Sequence, residues 1–249
     1  QRRAELLETL QPNDLPAGIR YELTLLRARA YLELAQYPLA MNTAKEARAI
    51  DPAAVSALVL QARIALEAGR KDEASTLAEQ ASTARPDDNT TWAMRAAVAY
   101  SSGQLPAALA HYDRSLKLQP DNSEALLGRS SVLMDMGRMA DAKTSLLALA
   151  KADITEPRAA YLLAVIADKE GDREASRKLL AQVVELIDPL PRTVLTSRSH
   201  LSLIAGLSHL SLGGTVKAKE YFELHTRFFP ALTAARKPLE KAVELEPKV

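Results

Sequence analysis

The sequence predicts an all-α array of antiparallel helix pairs, and three spacings predict it. Gly69, Gly103, Gly137 and Gly171 lie 34 residues apart. Pro52, Pro86 and Pro120 keep the same period, and so do Ala40, Ala74, Ala108 and Ala142. The chain has only nine glycines in 249 residues, so four at one strict interval mark a repeat. Glycine ends a helix by taking the left-handed conformation at little cost. Proline blocks a helix from continuing. A unit with a central glycine, a closing proline and a recurrent small residue is therefore two short helices joined by a tight turn.

Taken in order, residues 1–20 read as a partial repeat, the second helix of a unit whose first helix is missing. Residues 13–18 (NDLPAG) are turn chemistry. Five repeats then tile without insertion: 21–54, 55–88, 89–122, 123–156 and 157–190. Each has a first helix with a small residue at its eighth position: Ala28, Ala62, Ala96, Ser130 and Ala164. The turn falls at the fifteenth position, with Ala35 in the first repeat and glycine in the next four. A second helix follows, with Ala40, Ala74, Ala108, Ala142 and Ser176 at the twentieth position. Near the thirty-second, proline closes three repeats; the fourth has Ile154 there, and Pro157 opens the next helix instead. The period then slips. A sixth repeat occupies 199–232, with Gly206, Gly213, Ala218 and Pro230 at the equivalent places. Residues 191–198 are an insertion with no breaker after Pro191, which predicts a longer first helix for the sixth repeat. Residues 233–249 read as a truncated seventh repeat or a capping helix with a polar outer face.

A 34-residue helix–turn–helix period resembles the tetratricopeptide repeat family. Trp92 and Tyr112 stand at the fourth and twenty-fourth positions of the third repeat, where that family prefers aromatics. The resemblance implies a right-handed superhelical α-α solenoid over 1–249, with the eighth and twentieth positions at close helix crossings. It also implies a concave groove lined by the first helices. On that reading the partner-binding groove residues are Arg29, Arg63, Met94, Tyr100, Met134 and Tyr161. The two arginines share the ninth position of consecutive repeats, and the expected partner is an amphipathic segment carrying an acidic residue. The terminal-carboxylate clamp of chaperone-binding members is not expected, because no repeat has Asn at its sixth or ninth position.

Composition narrows the function. The 32 basic and 31 acidic residues give a net charge of +1, too little for a phosphate-binding field, so no nucleic acid partner is expected. Aromatics are 4% and cysteine is absent, which removes disulfides and thiolate metal sites. No apolar run reaches the roughly 18 residues of a membrane span. None of His111, His200, His209 and His225 is four residues from another, so they read as packing or surface residues. Asp87-Asp88 reads as turn and N-cap chemistry. There is no phosphate-binding glycine loop and no nucleophile elbow. No catalytic residue, cofactor or metal is therefore expected. The chain reads as a protein-interaction scaffold, with a structural spacer associating through its ends or convex face as the alternative.

The stretch HTRFFPALTAARKPLEKA, after GLSHLSLGG, is similar to long bacterial tetratricopeptide proteins of exopolysaccharide export and exosortase systems. That likeness implies the bacterial periplasm or envelope; the cytoplasm is the alternative. The chain starts at Gln1 and reads as part of a longer array. Its oligomeric state and partner stay open at this level.

Overall fold

The computed structural model describes residues 15–152, 156–228 and 233–245. The predicted partial helix over residues 1–10, Ile154 and Pro230 lie outside the described residues. The chain divides into two compact units, Gln1–Gly137 and Arg138–Val249. No strand occurs among the described residues, and the fold is the all-α array of helix pairs that the repeat predicts.

The first unit holds α1 (Ala17–Glu33), α2 (Tyr37–Ile50), α3 (Ser56–Glu67), α4 (Lys71–Ala84), α5 (Asn89–Ser101), α6 (Leu105–Leu118) and α7 (Ser123–Asp135). Within this unit α1, α3 and α5 pack on their own second helices, α3, α5 and α7 on the second helix of the preceding repeat, and successive first helices on one another. The small eighth and twentieth positions explain how closely they do so. Ala28, Ala62 and Ala96 are wholly buried, and so are Ala40, Ala74 and Ala108. Ala96 and Ala108 share one core cluster with Tyr112, Ala125 and Val132.

The turns are left-handed at every described repeat. Gly69, Gly103 and Gly137 have φ of 77°, 75° and 75°, and Ala35 takes the same conformation at φ 54°. Behind each runs the hydrogen bond that closes a helix C-terminus: Gln36 N–H to Tyr31 O at 2.9 Å and Gln104 N–H to Ala99 O at 2.9 Å. Alanine in this region costs about 1–2 kcal/mol, of which glycine's greater loss of chain entropy returns part. Ala35→Gly is therefore expected to stabilise the protein by up to about 1 kcal/mol, seen as a higher melting temperature. An unchanged or lower value would mean that the Ala35 turn carries no strain.

Helix starts follow side-chain chemistry. Asp88 caps α5 by accepting from the N–H groups of Thr90 (2.8 Å) and Thr91 (3.4 Å). Asn122 caps α7 through Ala125 N–H at 2.8 Å. Asp87 pairs with Arg85 at 3.2 Å, so both aspartates serve the turn.

The second unit holds α8 (Met139–Ala152), α9 (Pro157–Lys169), α10 (Arg173–Ile187), α11 (Arg192–Leu195), α12 (Ser199–Leu212), α13 (Thr215–Phe228), a 3-10 turn (Thr233–Ala235) and α14 (Arg236–Glu244). Its cores are built around Val183, Ile187, Leu195, Leu201 and Ile204, and around Ala218, Phe222, Ala235 and Ala242. The insertion does not lengthen the sixth repeat's first helix. It forms α11, a separate turn ended by Thr196, and Arg198 is extended (φ −131°, ψ 96°) before α12 begins. Leu195, the last residue of the short helix, is buried in the core with Val183, Ile187 and Leu201.

Candidate functional site

The first helices of the leading unit present one accessible stripe each, repeating at helical spacing. On α1 it is Glu22, Leu26, Arg29 and Glu33, all exposed. On α3 it passes through Ser56, Val59, Arg63, Leu66 and Glu67, on α5 through Thr90, Ala93, Ala97 and Tyr100, and on α7 through Glu124, Gly128, Ser131 and Asp135. Successive first helices touch, so the stripes lie side by side.

An ion pair joins α3 to α7 across the helix between them: the Arg63 guanidinium bonds the Glu124 carboxylate. Packed helix axes sit about 8–10 Å apart, so on a flat layer two residues separated by a whole helix would not meet. The pair closes because the face of this unit curves inward and the intervening stripe is Ala93 and Ala97. With side chains 43% and 65% exposed, such a pair contributes less than about 1 kcal/mol and is easily exchanged for another partner.

The floor beneath is aromatic. Tyr112 comes from α6, is 5% exposed, and passes its hydroxyl end against Gly128 of α7. A Cβ at position 128 would stand 2.2 Å from the Tyr112 Cζ and Oη. Burial raises the Tyr112 hydroxyl to about 12, with Glu124 and Tyr100 adding to the shift and Arg63 opposing it. Tyr100 donates to Asp135 Oδ2 at 2.7 Å; burial and this bond raise it to about 12 also. Glu67 is exposed at the end of α3, and partial desolvation raises its carboxyl above the usual range against the pull of Arg63.

Of the six residues singled out from the sequence, Arg63 and Tyr100 belong to this cluster. Arg29 is exposed on the α1 stripe. Met134 is half-buried on α7. Met94 is 4% exposed and packs in the core rather than on the face. Tyr161 belongs to the second unit, half-buried against the Val183–Ile204 core. Arg63, expected to meet an acidic partner residue, is paired here with the carboxylate of Glu124. Tyr112, Gly128, Glu124 and Asp135 were not singled out. One signal for them existed: Gly128 is a glycine deep inside a helix, where only a close approach justifies it.

The histidines are packing residues. His111 lies on Trp92 at 5.7 Å between ring centroids. His209 stacks on Tyr221 and donates to Asp188 at 3.0 Å. Burial pushes the Asp188 carboxyl up, but hydrogen bonds from Lys217, His209 and Tyr221 outweigh it and hold Asp188 below the usual range. His200 is pushed down to about 4 by burial and by Arg158, and is uncharged at neutral pH. Among the described residues no group of three or more His, Asp or Glu side chains could hold a metal ion. No helix among them is long and apolar enough to cross a membrane.

Residues 25–89 and 99–166 match two family models, each described as tetratricopeptide repeat, which together span more than half of the sequence. The chain belongs to the tetratricopeptide repeat family. No curated protein matches it by sequence. The solved structures resemble it in fold alone, at identities of 20% or less. PilW, titled a widely conserved type IV pilus biogenesis factor, aligns over 88% of this chain and 98% of its own at 18% identity and TM-score 0.63. PilF of Pseudomonas aeruginosa covers 90% of this chain and 99% of its own at 14% identity and TM-score 0.61. The anaphase-promoting-complex hetero-tetramer Cut9–Hcn1 covers 97% of this chain and 46% of its own at 14% identity and TM-score 0.68. Tetratricopeptide repeats are protein-interaction scaffolds and generally non-catalytic.

Proposed function

We propose that the inward-curving face of the leading unit is where this tetratricopeptide protein holds a segment of a partner protein. The observation that carries the reading is the Arg63–Glu124 pair. It spans from α3 to α7 across α5, whose Ala93 and Ala97 are small, and the space over those two alanines is the hollow in which the segment would lie. Half-buried Val59, Leu66 and Met134 offer apolar contact. The ion pair and the Tyr100–Asp135 bond offer polar groups already fixed in place, which lowers the ordering cost of binding.

Ala93→Arg fills the hollow without touching the core, and Lys117→Glu changes an exposed residue on a second helix. Pull-downs from the native host should lose their specific partners with the first variant and keep them with the second, both variants retaining wild-type circular dichroism. Equal recovery by wild type and Ala93→Arg would contradict the proposal and favour the spacer reading, with the ends or convex face as contacts.

The similarity of the 225–242 stretch to envelope export proteins supports a second, separate proposal. The partner is an export or modification protein of the bacterial envelope, met in the periplasm. Fractionation of native cells tests it, and recovery of the protein with the cytoplasmic fraction would contradict it.

A further inference from the structure

We infer that the segment bound by this face is basic and apolar: a stretch in which Lys or Arg stands beside aliphatic side chains. The inference rests on the proposed binding face and concerns the chemistry of its occupant. The stripes of α3, α5 and α7 carry carboxylates at Glu67, Glu124 and Asp135 against the one guanidinium of Arg63, and the α1 stripe sets Glu22 beside Arg29. Arg63 is neutralised by Glu124. The nearest rim ammonium, Lys71, is committed to the C-terminal end of α5, donating to Ser101 O at 2.5 Å. The basic residues of the unit lie elsewhere, many of them paired: Arg27 with Glu46, Arg70 with Glu73, Arg95 with Glu79 and Arg129 with Asp113. The unit thus segregates its charge, and the hollow is left acidic.

The individual carboxylates fit a cation. Tyr100 occupies Oδ2 of Asp135, and Oδ1 has no partner among the described residues. Glu67 is exposed at the end of the α3 stripe, where an incoming ammonium or guanidinium can reach its carboxylate. Leu26, 37% exposed, together with Val59, Leu66 and Met134, supplies the apolar ground on which a Lys or Arg stem or an aliphatic neighbour lies. Exchange of Glu124 from Arg63 to a partner cation costs little, because that pair is accessible.

The test uses a phage-displayed library of random dodecapeptides, panned on the full 249-residue chain, with binding of the enriched peptides then measured by fluorescence anisotropy. Enriched peptides are expected to carry Lys or Arg beside aliphatic residues and to bind more weakly as salt rises. They should bind a Glu67→Lys plus Asp135→Lys double variant about tenfold or more weakly. Both positions are exposed, and circular dichroism checks that the variant stays folded. Enrichment of acidic or uncharged sequences, or no enrichment of basic ones, would overturn the inference. So would peptides that are lost on Ala93→Arg but bind the double-lysine variant as well as wild type, in which case the binding face itself stands. Peptides that bind wild type and Ala93→Arg equally would instead overturn the binding face, and the inference with it.

Discussion

Phe222→Ala is expected to cost about 3–5 kcal/mol, the largest effect of any single truncation considered for this protein. Phe222 is wholly buried and sits with Ala218, Ala235 and Ala242 under Leu203, Leu207, Leu210 and Leu239. Its ring lies on Gly206 of α12, where a Cβ would come within 2.4 Å of Cε1. The buried neighbours of the ring are thus a glycine and three alanines, side chains too small to lean into the space, and the four leucines around them fill only part of it. The void left by truncation stays open, which is the costly case. The cluster also ties down α14 through Leu239 and Ala242, so the loss extends to the end of the described chain. Against a typical total of about 5–15 kcal/mol, such a change is a large share of the stability. Urea denaturation at fixed temperature measures it. A loss under about 1 kcal/mol would mean that the ring is not the centre of that core.

Gly128→Ala is expected to destabilise by about 1–3 kcal/mol, although alanine is the better helix former by about 1 kcal/mol. The new methyl group would stand 2.2 Å from the Tyr112 ring and hydroxyl, and Tyr112 is too buried to swing aside. The sign should reverse in a Tyr112→Leu background. With the ring gone the clash goes too, and the same Gly128→Ala change should stabilise by up to about 1 kcal/mol. Denaturation of the four proteins of this cycle gives the answer. A Gly128→Ala effect of the same sign and size in both backgrounds would show that Tyr112 does not pass through the glycine gap, and the floor of the hollow would need another description.

The helix pairs were legible in the sequence because one physical requirement, a left-handed residue between two helices, recurs every 34 positions and selects glycine nearly every time. The exception, Ala35, was readable from register alone, since the conformation belongs to the turn rather than to the side chain. The small residues at the crossings were legible for the same reason: Ala96 and Ala108 are small because two backbones meet there. The insertion was misread because a helix break without proline or glycine leaves no local mark. The burial of Leu195 beside that break is a tertiary effect. The binding face was legible only as a set of positions. Which members of that set are accessible is decided by packing against the neighbouring helices, which buries Met94 while leaving Tyr100 half-buried. The Arg63–Glu124 pair was not legible, because Glu124 lies 61 residues from Arg63 and only the fold brings them together. Tyr112 and Gly128 show the same limit: the helix-interior glycine is visible in the sequence, the ring that needs it is not.

The central claim is that the inward face of the first helices holds the partner segment. Amide hydrogen exchange of the intact chain, with and without a saturating captured peptide, tests it most directly. The account predicts added protection along α3, α5 and α7, strongest near Arg63, Ala97 and Gly128, with α4 and α6 unchanged on their outer faces. Protection confined to α4 and α6, or to the ends of the chain, with α3, α5 and α7 exchanging as before, would contradict it.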